Sequence, residues 1–160
     1  MLESNLKVGV ISCSGEDCLG GTISRLATRK ALEETNVGET VTICLPLFLV
    51  GGEEERSFAD EHPVISIDGC SKYCAKRATE KYSGKVSASL NVADIIGQKD
   101  AESGMLSCRD LADKHKNMVD KVVGAIKVKI DEILGNDRVK IEPQKAEKIG
   151  SSCACGGKCN

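Results

Sequence analysis

The chain has 160 residues, with 22 Lys and Arg against 24 Asp and Glu, a formal net charge of -2, two Phe, two Tyr, no Trp and nine Cys. Balanced charge spread along the sequence and so few aromatic rings exclude the basic footprint and stacking platforms of a nucleic-acid binder and the aromatic belt of a membrane protein. The length suits one domain with a core of ordinary size, and an odd number of thiols excludes a fully paired disulfide framework within one chain.

Met1 to Lys7 is polar and lacks the basic region and long apolar run of a secretory signal, and no stretch approaches transmembrane length. The expectation is a soluble protein of the cytoplasm, where thiols stay reduced and clustered cysteines serve as ligands or redox groups. Residues 6–12 read as a buried strand, and 22–35 as a helix whose Ile23, Leu26, Ala27, Ala31 and Leu32 recur at helical spacing. Val41 to Leu45 is a second strand. After Pro46 a loop and a short helix are expected, with the acidic run Glu53-Glu54-Glu55 as a solvated face.

Pro63 introduces a third strand, and Ser71 to Tyr82 reads as a helix rich in Lys, Ala and Glu. Val86, Ala88, Leu90 and Val92 alternate with polar residues, as a strand at the sheet edge does. Leu111, His115, Met118, Val122, Ile126, Ile130 and Ile133 mark one stripe of a long helix that Gly135 is placed to terminate. Strands alternating with helices predict an α/β fold, a three-layer sandwich around a mostly parallel sheet of about four strands, Rossmann- or flavodoxin-like. One domain is expected over 1–137, followed by a flexible cysteine-rich tail over 138–160 that ends in Cys153, Cys155 and Cys159.

The chemistry lies in the cysteines. Cys13, Cys44 and Cys70 each follow an apolar strand, and Cys74 lies one helical turn beyond Cys70. In an open parallel sheet the carboxyl ends of the strands share one edge, where ligands bind, so these four thiols are expected to converge. Thiolates are soft donors, and four together make either a closed tetrahedral zinc shell or the full set for an iron-sulfur cluster. A helix amino terminus with Lys72, Lys76 and Arg77 nearby suits the charged form that a metal needs. Asp68 is placed to cap that helix or to bond the donors around a ligated sulfur, and Gly69 to allow a sharp turn. A free cysteine is also a common core residue: Cys108 reads so, and Cys44 fits either role.

The run Cys13-Ser14-Gly15, then Gly21-Thr22-Ile23-Ser24 opening a helix, Cys44-Leu45, Ile67-Asp68-Gly69-Cys70 and Cys74-Ala75-Lys76 resembles the DGC-domain family over about residues 6–97. The resemblance implies zinc as the metal and Cys13, Cys44, Cys70 and Cys74 as its ligands. Neither Cys18 nor the cysteine-rich tail belongs to that pattern.

Cys18 supports a rival expectation. Cys13-Ser-Gly-Glu-Asp-Cys18 between a strand and a helix is similar to the oxyanion loop of low-molecular-weight phosphatases and arsenate reductases, in which a thiolate attacks the bound anion. That loop needs an arginine where this chain has Leu19, and Glu16 and Asp17 repel anions. A thiol-disulfide oxidoreductase using Cys13 with Cys18, or Cys70 with Cys74, does not need the arginine. The three tail thiols fit capture and hand-over of a soft metal or sulfur to an acceptor protein. The leading expectation is a metal-binding protein that binds, senses or delivers metal or sulfur. Zinc is the expected cofactor, an iron-sulfur cluster its alternative, and a classical enzyme is less expected.

Overall fold

In the computed structural model the described residues are 6–13, 15 and 17–141, with side chains described through Gly135. The strands are β1 (Val8–Ser12), β2 (Thr40–Val41), β3 (Val64–Asp68) and β4 (Ala88–Asn91). They form one sheet in the order β2-β1-β3-β4, with every pairing parallel. Among the described residues eight helices accompany it: α1 (Leu19–Lys30), α2 (Leu47–Val50), α3 (Glu53–Arg56), α4 (Phe58–Glu61), α5 (Cys74–Tyr82), α6 (Val92–Ile96), α7 (Gln98–Ala101) and α8 (Asp113–Ile141). A wide π-type turn, Ala31–Thr35, closes α1. Among the described residues no helix is long and apolar enough to cross a membrane.

The sheet is covered on both faces, as an all-parallel sheet must be. Alternation along the strands sends Val8, Val10, Ile65 and Ile67 to one face, where they pack with Leu19, Ile23 and Ala27 of α1 and Val122, Ile126 and Ile130 of α8. Ile11 and Val64 point the other way, onto Phe48 of α2 and Ala75 of α5. Each fully buried Ile or Val contributes about 1.5–3 kcal/mol by leaving water. These are the three layers expected from the alternating pattern.

Several boundaries differ from the expectation, each for a local reason. β2 ends at Val41: the Thr42 hydroxyl bonds the Val10 carbonyl at 2.7 Å, so a side chain replaces the next backbone rung and the chain leaves the sheet. Helix α1 begins at Leu19, three residues before the expected start at residue 22, and its first turn carries Gly20 and Gly21, which allow a close approach of backbone. Helix α5 begins at Cys74 and not at Ser71, since Asp68 caps it there. Val92 leaves the fourth strand to open α6, whose amino end is capped by Asn91 Oδ1 accepting from the Ala93 amide at 3.0 Å.

Gly135 does not end α8, which continues to Ile141. A glycine stop needs positive φ, and Gly135 is not among the positive-φ glycines, which are Gly15, Gly38 and Gly97. The acidic run forms α3, with no buried residue. His115 is buried at the start of α8, where its Nδ1 accepts the Ala112 amide at 3.1 Å, a structural role at the helix boundary. Cys108 is exposed and not a core residue, because the 102–112 connection runs over the surface of α1.

Candidate metal centre

Strand order reverses between β1 and β3, since β2 lies on one side of β1 and β3 on the other. At such a switch point the loops leaving the two carboxyl ends part and open a crevice. Here the loops are those that carry Cys13 and Cys18 after β1, and Cys70 and Cys74 after β3. The crevice is a cavity of about 510 Å³ lined by Cys13, Gly15, Asp17, Cys18, Gly21, Cys70, Ser71, Lys72, Cys74 and Glu102. Four of these ten residues are cysteines, so its chemistry is that of sulfur.

Glycine backbone brings the loops together. A Cβ on Gly69 would stand 2.3 Å from the Gly21 nitrogen and 2.5 Å from the Gly20 carbonyl carbon, and one on Gly20 would stand 2.1 Å from the Gly69 oxygen. Gly15 (φ 72°) meets Gly21 in the same way: its Cβ would stand 2.4 Å from the Gly21 carbonyl. The first turn of α1 is thereby wedged between the β1 loop and the β3 loop, backbone against backbone. Gly69, expected to allow a sharp turn, is required for this close approach, and its φ is not positive. The left-handed residue is Tyr73 (φ 50°, ψ 46°), immediately before α5, a conformation that costs a side-chain-bearing residue about 1 kcal/mol.

Cys13 is the buried member of the set. Its Sγ lies 3.3 Å from Ser24 Oγ and accepts the Gly69 amide at 3.3 Å. Burial pushes its thiol above the usual range, an effect only partly offset by its hydrogen bond with Ser24 and the one it accepts from the Gly69 amide. Cys18 is half-buried and occupies the amino cap of α1, held by an antiparallel bridge to Gly104. Cys70 is half-buried, in a turn where its carbonyl accepts the Tyr73 amide at 3.3 Å, and Cys74 is exposed at the first position of α5. Cys70 precedes the helix, so the pair does not share a helical face; the two residues line the same cavity from either side of a turn.

Asp68 is buried and caps α5 from a distance: Oδ1 accepts the Ala75 amide at 2.7 Å and Oδ2 the Lys76 amide at 3.1 Å. Burial still holds its carboxyl above the ordinary range despite these bonds. Lys76 therefore enters through its backbone as well as its charge. Lys72 reaches across the mouth to Asp17 at 3.2 Å, an exposed pair joining the two cysteine loops, and this partner raises the Lys72 ammonium. Sequence reasoning missed this pair and Glu102, none of which has a distinctive motif.

Cys44 does not line the cavity. It is exposed, three residues beyond the end of β2, where its carbonyl accepts the Leu47 amide that opens α2. Cys153, Cys155 and Cys159 lie outside the described residues. Among the described residues no three Cys, His, Asp or Glu side chains already stand at the separations of a metal shell. Four cysteines line one crevice, and thiolate is the donor type that a soft ion takes. Leu19, at the position of an oxyanion clamp, is buried in the core cluster to which α8 also contributes.

The sequence matches the family model described as the DGC domain over residues 9–126, from β1 into α8 and beyond the 6–97 suggested by the motifs alone. No curated protein and no solved structure matches the chain.

Proposed function

Because the chain belongs to the DGC-domain family, we propose that the crevice between β1 and β3 captures a thiophilic metal ion, zinc foremost, through its cysteines. The observation that carries this reading is that Cys13, Cys18, Cys70 and Cys74 line one cavity at the sheet's switch point. In this assignment Cys18 takes the place that the family pattern gives Cys44. Cys13 is the fixed ligand, held by two hydrogen bonds, while the half-buried or exposed Cys18, Cys70 and Cys74 close on the ion by side-chain rotation.

A site of this kind, buried at one ligand and open at the others, suits binding and hand-over of metal or sulfur more than a purely structural closed shell. The Cys153, Cys155 and Cys159 tail would serve an acceptor protein in the reducing cytoplasm. An iron-sulfur cluster would use the same four thiolates. Anaerobic purification, elemental analysis and a visible spectrum of wild type, Cys70→Ser and Cys44→Ser test the assignment. One colourless zinc per chain, lost with Cys70→Ser and kept with Cys44→Ser, supports it; iron with sulfide selects the cluster; metal-free protein in all three refutes it.

A second reading rests on the exposure of Cys74 beside half-buried Cys70. As a dithiol this pair would reduce a partner's disulfide, the two cysteines giving two electrons and two protons to the partner and ending as an intramolecular disulfide. Stoichiometric reduction of a model disulfide by the pre-reduced, metal-free protein, abolished by Cys74→Ser, would select it.

A further inference from the structure

We propose that Ser24 is the positioning residue of this centre, its hydroxyl acting with the Gly69 amide to aim the Cys13 sulfur into the crevice and turning toward that sulfur when it is ligated. The inference rests on the metal reading above. Ser24 is fully buried, near the start of α1, with Oγ 3.3 Å from Cys13 Sγ and 2.8 Å from the Gly21 carbonyl to which it donates.

A serine hydroxyl owns one hydrogen. While that hydrogen is committed to Gly21, the Cys13 thiol must donate to Ser24, which makes a directed relay from sulfur to hydroxyl to carbonyl. A metal-bound sulfur has no hydrogen to give and can only accept. Ser24 then turns its hydrogen from Gly21 to Sγ, joining the Gly69 amide, which already donates to Sγ at 3.3 Å. The Gly21 carbonyl keeps its ordinary helical acceptor role within α1, so the turn strands no buried group. Two donors fixed in the protein wall hold the sulfur and leave its remaining lone pairs toward the cavity. Hydrogen-bonding partners that orient metal ligands in this way are each worth about 10–100-fold in affinity.

Cobalt(II), a coloured probe for a zinc-type thiolate site, tests the proposal in full-length protein bearing Ser24→Ala or Ser24→Thr. Ser24→Ala is expected to bind cobalt about 10–100-fold more weakly and to shift the sulfur-to-cobalt charge-transfer band. Its circular dichroism and unfolding midpoint should stay those of wild type, and Ser24→Thr, which keeps the hydroxyl, should restore band and affinity. Ser24→Ala with wild-type affinity and an unmoved band overturns the role of Ser24 while leaving the metal reading intact. If wild type takes up no cobalt, or Cys13→Ser takes it up equally well, the metal reading itself fails. The infrared S–H stretch of Cys13 in metal-free protein, isolated as the difference from Cys13→Ser, then decides the relay: Ser24→Ala should move it to higher frequency, and an unmoved stretch overturns the relay too.

Discussion

Gly69 and Gly21 touch through bare backbone, so closely that a single methyl on Gly69 would stand 2.3 Å from the Gly21 nitrogen. Nothing but glycine fits at Gly69 without separating the loop that carries Cys13 and Cys18 from the one that carries Cys70 and Cys74, whereas a Cβ on Gly21 would stand 2.1 Å from Gly15 Cα, within the first of these loops. Gly69→Ala should therefore destabilise the protein by about 2–4 kcal/mol, as overpacking at unyielding backbone does. Urea unfolding checks this, with Gly124→Ala as contrast: Gly124 is exposed in α8 with nothing within 4 Å of its Cβ position, and alanine there should add up to about 1 kcal/mol. Equal effects at the two sites would contradict the wedge.

Loss of the Asp68 carboxylate should detach the start of α5. Asp68→Ala leaves the Ala75 and Lys76 amides without their partner and should cost about 1–3 kcal/mol. The carboxyl's folded value is raised above the usual 3.8, so the native state binds the proton more tightly than the unfolded chain. Asp68 thus takes away stability as pH rises from about 3.8 through its folded value. Denaturation of wild type and Asp68→Asn over the acid range should show that slope in the wild type alone.

Cys13 has the same sign in the alkaline range. Its thiol is raised above the usual 9.0 by burial, so metal-free protein should lose stability as pH climbs from about 9.0 toward the raised value. Cys13→Ser should flatten that part of the curve. Metal and proton also compete for this sulfur, and apparent zinc affinity should go on rising across the same range. Titration calorimetry in buffers of different ionisation heat measures the proton released.

Among the other cysteines, Cys18→Ser and Cys74→Ser should each weaken cobalt or zinc binding at least about tenfold, equivalent to about 1.4 kcal/mol. Cys44→Ser should not, because Cys44 is outside the cavity. Competition with a coloured chelator gives the ranking, and a Cys44 effect as large as that of Cys18 would reverse the assignment.

The Asp17–Lys72 pair is exposed at both ends, and salt screens such pairs. Lys72→Ala should change stability by less than about 1 kcal/mol. Chelator-driven metal release should quicken, and raising the ionic strength should produce the same change in wild type.

Strands β1 and β3 were legible because their apolar runs are central and buried on both faces; with them came the placement of Cys13 and Cys70 at one sheet edge. Cys44 stands outside the cavity because β2 is an edge strand of two residues that ends three residues before it. Its apolar continuation, Ile43 and Leu45, packs beneath α2 and not within the sheet. Cys18 could have been joined to the site from the Gly20-Gly21 pair directly after it, since consecutive glycines opening a helix mark a backbone that something approaches closely. Ser24 left no such trace. Its role depends on the distance between α1 and the end of β1, which spacing along the chain does not encode.

Leu19 sits where a related loop chemistry would demand a positive charge, and it is also an inward-facing member of the hydrophobic interior beneath α8. An arginine substituted there would face hydrocarbon, not a bound anion, and would unseat the first helix before it could grip anything. Acquiring phosphate- or arsenate-directed catalysis would thus require rebuilding the interior and the loop together, a path that single substitutions do not open.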